Sequence, residues 1–209
     1  PLQDSKIQIE WCEGQQFPEY FRTMQSVAED CRADFVVVSK PRLPSFGLGL
    51  LSKLLHRIPL ILDVDDWELS FFPNTAPAGL GTVQTHNRDA DFYCPHGNLW
   101  TRLCETIIQD CNAITVSNPA LQDRYGGRVV RHARDEKMWS RELYDRVAIR
   151  SKLGFETNDR VILFAGTARK HKGLVDLATA IASLNDPSIK LCIVGAITEP
   201  ELWRCLQEV

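Results

Sequence analysis

The sequence predicts an α/β protein with parallel sheets, and three observations lead to that prediction. Short apolar runs rich in Val, Ile and Leu alternate with stretches whose apolar residues recur at helical spacing. The runs are nearly continuous, which is typical of strands buried on both faces of a parallel sheet. The alternation occurs on both sides of a basic stretch at residues 122–152, which we interpret as a connector between two lobes. Strands and helices in this order favour right-handed crossovers.

The first half of the chain contains four predicted strands and three predicted helices. The strands are expected at residues 34–39, 58–64, 113–117 and 128–130. Apolar residues at helical spacing indicate helices at residues 46–55, 99–110 and 119–125. The last helix follows Asn118-Pro119, because the residue before a proline avoids the α region, and Gly126-Gly127 ends it. Residues 68–98 are rich in Pro and Gly, so we expect less regular structure there.

The second half contains the other repeats of this pattern. A helix is predicted at residues 141–153, ended by Gly154. Strands are predicted at residues 161–166 and 189–194. One helix begins at about Gly173, and another is expected over residues 199–209.

Composition excludes several classes of protein. Lys and Arg total 24 against 27 Asp and Glu, and this slight acidic balance argues against a nucleic-acid binder. No apolar run reaches the roughly 18 residues of a membrane span, and no signal pattern opens the chain. None of the seven cysteines forms a C-x-x-C pair, so neither a zinc site nor a redox site is indicated. We therefore expect a cytoplasmic protein with reduced thiols.

The first candidate site is the turn Gly166-Thr167-Ala168-Arg169-Lys170-His171-Lys172-Gly173, between a predicted strand and a predicted helix. Ligands of open α/β sheets bind at the carboxyl ends of strands, where a helix N-terminus attracts anions. Arg and Lys add positive charge, so the turn would suit a diphosphate. The lysine precedes the second glycine and no Ser or Thr follows it, which disfavours a P-loop NTPase. A basic surface turn is the alternative.

The second candidate site is a group of four carboxylates after a predicted strand, at Asp63, Asp65, Asp66 and Glu68. Carboxylate oxygens can bind a cation or supply a general base. Alternation would place Asp63 and Asp65 on one face if the strand continues. A strand exit in which Asp66 caps a helix would explain only one of these residues.

Two further residues follow predicted strands on the same rim as Asp65. Lys40 follows the strand at residues 34–39, and Asn118 follows the strand at residues 113–117. The carboxyl ends of parallel strands meet at one edge of a sheet. Lys40 and Asn118 are therefore expected either to line a cleft there or to be turn residues.

An ordered series of segments resembles one enzyme family. The series comprises residues 115–121, Tyr125-Gly126, residues 130–135, Lys152-Leu153-Gly154, residues 161–166, residues 171–174 and residues 191–195, together with Lys40-Pro41 and residues 61–66. It is similar to retaining glycosyltransferases of the GT-B fold, family 4 type, from about residue 33 to residue 198. No single motif is decisive, and the order of the series makes the resemblance specific.

The resemblance implies two Rossmann-like domains that face a cleft and a nucleotide-diphosphate sugar as the donor substrate, with no resident cofactor and no metal. It implies that Lys172 binds the donor diphosphate and that Arg169 reaches the same oxygens, because Thr167 stands where the family usually has Arg. Gly166 would let the diphosphate approach the backbone, and Gly195 would lie near the base. Asp65 would take the place of a cleft histidine near the reacting sugar, as the catalytic residue.

The resemblance also predicts the domain organisation. Residues 1–134 would form the acceptor-side domain without its first strand, residues 135–157 the connector, and residues 158–209 the start of an incomplete donor-binding domain. The chain is thus expected to be truncated at both ends. The acceptor would be an unknown glycan or lipid. The basic stretch would either be a solvated helix face or allow peripheral contact with the inner face of a membrane. An unpaired sheet edge would allow homo-oligomers. The alternatives are a non-catalytic interaction module of this fold and a nucleotide-sugar epimerase.

Overall fold

Two parallel sheets organise the chain, one in each of two units. The computed structural model describes residues 8–209, so residues 1–7 of the predicted first domain lie outside the described residues. The first unit ends at Ala133, and the second unit comprises Arg134–Val209. Each unit combines a parallel sheet with helices, which confirms the predicted α/β class.

The sheet of the first unit has the strand order β1-β2-β3-β4, and all three pairings are parallel. The strands are β1 (Val36–Ser39), β2 (Leu60–Val64), β3 (Ala113–Val116) and β4 (Arg128–Val129). In the register, Ser39 pairs with Asp63 and Asp63 pairs with Thr115. The residues that follow β1, β2 and β3 therefore share one edge of the sheet.

Six helices accompany this sheet within the described part of the first unit. They are α1 (Glu19–Asp30), α2 (Leu48–His56), α3 (Leu80–Thr85), α4 (Ala90–Tyr93), α5 (Asn98–Thr106) and α6 (Pro119–Tyr125). A π-helical turn at Leu43–Gly47 precedes α2, and 3-10 turns occur at Glu68–Phe71 and Ile108–Asp110. The main core lies between β2, β3 and the helices, and its buried members include Phe46, Leu62 and Val116.

Burial of β1 on both faces was predicted and is wrong. Side chains alternate along a strand, so Val37 and Val38 face opposite sides of the sheet. Val38 is buried against α2, where a Cβ on Gly49 would come within 2.5 Å of the Val38 Cγ1 atom. Val37, by contrast, is 57% exposed on the opposite side of β1, which lies at one edge of the described strands of this sheet.

The second unit is built on two parallel strands. Strands β5 (Arg160–Ala165) and β6 (Ile189–Val194) pair throughout their length, with Leu163 opposite Cys192. The helices are α7 (Arg146–Lys152), α8 (Leu174–Ser183) and α9 (Pro200–Gln207), and 3-10 turns occur at Arg141–Leu143 and Lys170–Lys172. Leu174 and Leu202 form the centre of a small core with Ala168. Leu163 and Val194 are exposed on the strands.

Two other sequence expectations differ from the structure, and one helix was not predicted. The single helix predicted over residues 141–153 is interrupted, because the Asp145 carboxylate caps α7 by accepting hydrogen bonds from Val147 N and Ala148 N at 2.9 and 3.1 Å. The stretch at residues 68–98 is more regular than expected, since it contains α3 and α4. Helix α1 was not predicted, and the His56 ring nitrogen Nε2 lies 2.7 Å from the carbonyl oxygen of its residue Ala28.

Among residues 8–209, no helix has both the length and the apolar character needed to cross a membrane. Helix α1 has 12 residues, whereas a span needs about 20.

Candidate functional site

A cluster of charged side chains lies at the carboxyl ends of β1 and β2. We call it the strand-end cluster, and its members are Lys40, Arg42, Asp65, Asp66 and Glu68. The Lys40 Nζ atom lies 3.3 Å from Asp65 Oδ1, 3.8 Å from Asp66 Oδ2 and 2.8 Å from Glu68 Oε1. The parallel pairing of β1 with β2 explains this proximity, because both strands end at the same level. The structure thus brings two sequence-predicted site residues, Lys40 and Asp65, into an ion pair.

The backbone at Lys40 is left-handed, with φ of 72°. This conformation is unfavourable for a residue with a Cβ, by roughly 1 kcal/mol or more. Two hydrogen bonds hold it, because Lys40 N donates to Asp63 O at 2.8 Å and Arg42 N donates to Lys40 O at 2.9 Å. Non-glycine residues in such conformations concentrate at functional sites.

Glu68 is the buried anion of the cluster. Its side chain is 1% exposed, and its two carboxylate oxygens face different cations, Lys40 Nζ at Oε1 and Arg42 Nε at Oε2. Arg42 also lies 5.5 Å from the centre of the Phe72 ring. Sequence analysis counted Glu68 among four carboxylates and missed Arg42. The available signal was the Lys40-Pro41-Arg42 spacing, which places two cations just after a strand.

The three carboxylates of the cluster are arranged around an ammonium group. Oxygen atoms of Asp65, Asp66 and Glu68 all lie within 4.8 Å of one another, as the ligands of a metal ion would. Lys40 Nζ lies within ion-pair distance of all three. The hydrogen bond to Glu68 is the largest cause that raises the pKa of Lys40, and burial opposes it. Lys40 therefore supplies the positive charge, and a divalent ion at the same point would have to displace it.

The side chains of Asp63 and Asn118 form hydrogen bonds within the sheet and at the start of α6. The Asp63 carboxylate accepts a hydrogen bond from the Thr115 hydroxyl on the neighbouring strand. Asn118 Oδ1 accepts a hydrogen bond from Leu121 N at 3.0 Å and thereby caps α6, as expected for a turn residue. Neither side chain has a hydrogen bond or an ion pair with Lys40 or Asp65. Asp66 does not cap a helix, because the 3-10 turn at Glu68–Phe71 has no side-chain cap.

Two glycines shape the second candidate site, at the carboxyl ends of β5 and β6. Gly166 has φ of 145° and Gly195 has φ of 140°, both in the region that favours glycine. A Cβ on Gly195 would lie 2.0 Å from Gly166 O, so the two turns touch through their backbones. Gly166 N donates to Val194 O at 2.8 Å. Gly195 therefore has a packing reason to be glycine, whatever ligand the turn binds.

The basic residues of this turn are exposed to solvent. No carboxylate of the described residues lies within ion-pair distance of the side chains of Arg169, Lys170 or Lys172, and Thr167 is exposed beside them. Residues 170–172 form a 3-10 turn, and Gly173, with φ of 70°, leads into α8. The main-chain nitrogen of Lys170 donates to Glu199 Oε2 at 3.2 Å. The side-chain charges of the turn are thus available, whereas this backbone donor is occupied.

A cavity of about 850 Å³ lies beside this turn, within the second unit. Its lining includes Lys170, Asp176, Glu199 and Arg204, so charges of both signs face it. The residues that the resemblance assigned to the donor do not line this cavity; they are Gly166, Thr167, Arg169, Lys172 and Gly195. Sequence analysis missed Glu199 and Arg204, because they come from β6–α9, the following repeat.

The second unit is an α/β unit with a basic turn and a cavity at the carboxyl ends of parallel strands, the edge at which such folds bind ligands. Residues 145–208, from the cap of α7 to the end of α9, match the family model described as Glycosyl transferases group 1. The chain is therefore similar to group 1 glycosyltransferases over that range, which supports glycosyltransferase activity in general terms. No curated protein matches the chain.

Proposed function

We propose that this chain belongs to a retaining, metal-independent glycosyltransferase of the GT-B fold and family 4 type. Such an enzyme transfers a sugar from a nucleotide-diphosphate donor to an acceptor. The single observation that carries the proposal is the family match over residues 145–208, which spans β5, the basic turn, α8 and β6.

The proposed donor site is the turn between β5 and α8. The departing nucleotide diphosphate gains negative charge as the bond to the sugar breaks, and cations already in place stabilise that charge. Arg169 and Lys172 are exposed and carry no competing carboxylate among the described residues. Gly166 and Gly195 keep the adjoining backbone bare of side chains, and Thr167 adds a hydroxyl group.

Asp65 is the proposed catalytic carboxylate. Its ion pair with Lys40, at 3.3 Å, fixes the position of the carboxylate at the strand ends, while 29% of its side chain stays accessible to a ligand. Lys40 is in turn held by Glu68, so the orientation of Asp65 depends on a carboxylate that is only 1% exposed.

A thermal shift measurement with UDP, GDP and ADP tests the proposed donor site. A nucleotide at roughly 100 times its Kd stabilises the native state by about 2.7 kcal/mol. We expect one nucleotide to raise the melting temperature, and Lys172→Ala to abolish that rise. Lys190→Ala, which removes an exposed lysine from β6 of the same unit, is the matched control.

Two outcomes of this measurement would contradict the proposal. If none of the three nucleotides changed the melting temperature, the donor site would be wrong. If Lys172→Ala and Lys190→Ala responded alike, Lys172 would not bind the donor. The first outcome would favour the non-catalytic interaction module, a candidate supported by the absence of the proposed donor residues from the cavity lining. Analysis of products with and without an acceptor separates a transferase from a nucleotide-sugar epimerase.

The proposal also covers the acceptor, the place where it is used and the self-association of the chain. The acceptor would be a glycan or a lipid, used in the cytoplasm or at the inner face of a membrane. Self-association would use an unpaired strand edge, such as that of β1 within the described residues. Analytical ultracentrifugation over a range of concentrations tests it, and a constant monomer mass would count against it.

A further inference from the structure

Five apolar or aromatic side chains project into solvent from a short stretch of the second unit. They are Met138, Trp139, Leu143, Tyr144 and Val147, and we call them the apolar connector surface. Each is between 53% and 77% exposed. Single exposed apolar residues are common on protein surfaces, whereas contiguous exposed apolar patches mark interaction sites. These five side chains lie within ten residues of one another along the chain.

The backbone of this stretch is ordered by its own hydrogen bonds. Met138 N donates to Asp135 O at 3.1 Å, and Leu143 N donates to Ser140 O at 3.1 Å. The Tyr144 hydroxyl donates to Met138 O at 3.0 Å, and this hydrogen bond links the two ends of the segment at residues 138–144. Polar groups that are already paired cost less to remove from water. The stretch can therefore present its apolar side chains to a less polar medium without leaving these backbone groups unpaired.

The charge around this surface is positive. Residues 137–152 contain five basic and two acidic residues. Asp145 uses its carboxylate to cap α7, and Arg150 donates to the carbonyl oxygens of Glu156 and Asp159. The remaining four cations have no carboxylate within ion-pair distance in the described part of the chain; they are Lys137, Arg141, Arg146 and Lys152. Unpaired cations beside exposed aromatic residues complement a surface of negative charge with an apolar interior.

We propose that the apolar connector surface inserts into the headgroup region of an anionic lipid bilayer. Trp139 and Tyr144 would lie at the boundary between headgroups and acyl chains, where amphipathic aromatic rings concentrate. Met138, Leu143 and Val147 would enter the acyl boundary, while the flanking Lys and Arg side chains contact lipid phosphates. The proposal stands independently of the donor site, because it concerns a different part of the unit.

Sedimentation with vesicles tests the insertion. The full chain is mixed with vesicles of phosphatidylcholine, with or without phosphatidylglycerol. We expect binding to the anionic vesicles, and a loss of about tenfold for Trp139→Ala, since partial burial of an indole ring changes an equilibrium constant by roughly that factor. Trp139→Phe should retain most of the binding. Trp11→Ala is the matched control, because Trp11 is still more exposed, at 84%, and lies in the first unit.

Charge reversal tests the electrostatic part. Each basic residue near an anionic surface contributes about fivefold to binding, so Arg141→Glu with Arg146→Glu should weaken it by at least roughly twenty-five-fold. The control pair, Arg22→Glu with Lys190→Glu, makes the same charge change on α1 and β6 and should have a much smaller effect.

Three results would overturn the proposal. The first is no binding of the unmodified chain to anionic vesicles, which would point to a protein partner for this surface. The second is unchanged binding of Trp139→Ala, which would mean that charge alone attracts the chain. The third is an equal loss in Trp11→Ala. Circular dichroism of each variant verifies that the fold is retained.

Discussion

Replacing Glu68 with Gln removes the buried charge of the strand-end cluster and leaves its shape nearly unchanged. Glu68 is the least exposed member, at 1%, and it contacts both Lys40 and Arg42. With Gln in its place, the two cations face each other without their shared counter-ion. We expect Glu68→Gln to destabilise the first unit.

The size of the effect follows from the exposure of the two cations. Removing one partner of a buried ion pair costs about 3–5 kcal/mol, because the other charge is left without compensation. The side chains of Lys40 and Arg42 are 35% and 25% exposed, and Lys40 keeps Asp65 at 3.3 Å, so water and Asp65 replace part of what the Glu68 carboxylate supplied. We therefore expect a loss of about 2–3 kcal/mol in the free energy of unfolding of this unit.

Urea denaturation, followed by fluorescence and circular dichroism, measures this loss. With an m-value of about 2 kcal/mol/M, the midpoint should fall by roughly 1–1.5 M. The difference should also depend on pH. The folded state raises the pKa of Lys40, chiefly through its hydrogen bond to Glu68, so this contribution is complete below the ordinary lysine pKa and is lost as the pH rises through the raised value. The destabilisation should therefore shrink in strongly alkaline buffer.

Two control variants sharpen the result. Asp66→Asn removes a carboxylate of the same cluster that is 58% exposed and 3.8 Å from Lys40, so its effect should stay below about 0.5 kcal/mol. Lys40→Met, Arg42→Met and Glu68→Leu together remove the buried carboxylate and its two cations and should recover only part of the stability, because Asp65 then loses its partner Lys40, at 3.3 Å. If Glu68→Gln and Asp66→Asn unfolded at the same urea concentration, the reasoning about the buried carboxylate would be refuted.

Two further predictions concern a glycine and a cysteine. Gly195→Ala should destabilise the second unit by about 2 kcal/mol, because its Cβ would collide with Gly166 O and its φ is 140°. Differential scanning calorimetry measures this loss. Gly81→Ala is the control and should not be destabilised, because its Cβ would meet no atom within 4 Å. The Cys104 thiol is buried, which raises its pKa to about 12, so at pH 8 a thiol reagent should modify the exposed Cys205 rapidly and Cys104 only on unfolding; equal rates, measured by mass spectrometry, would contradict this.

Elements bounded by residues that start or end a helix, such as proline and glycine, were the most predictable from the sequence. Helix α6 was predicted at residues 119–125 and is observed at Pro119–Tyr125, because a proline starts it and two glycines end it. Helix α1 lacks such signals, since no side chain caps its N-terminus after Pro18. The break before α7 depends on one carboxylate, that of Asp145, which turns from the surface towards the backbone. The spacing of apolar residues does not show whether a carboxylate caps a helix or faces solvent, so it did not predict this break.

The site residues divide in a similar way. The topology of parallel strands is enough to place Lys40 near Asp65, because it aligns the ends of β1 and β2. The pairing of Arg42 with Glu68 could not be predicted, since it joins side chains 26 residues apart across an irregular segment. The contact of Glu199 with the main chain at Lys170 is of the same kind. Contacts between loops depend on the loop conformations and side-chain rotamers. The pattern of apolar and polar residues carries little information about either.

The main cores of the two units differ greatly in size within the described residues. The main cluster of the first unit holds eleven buried residues, whereas the cluster of the second unit holds three. Local opening costs less free energy where fewer apolar contacts are lost, so amide protons of β5 and β6 should exchange with solvent before those of β2 and β3. A ligand of the second unit would slow exchange in β5 and β6 alone. The exchange rates of the β2 amides would then serve as an internal reference, and the change in the β5 and β6 rates would report the occupancy of the ligand site in the second unit.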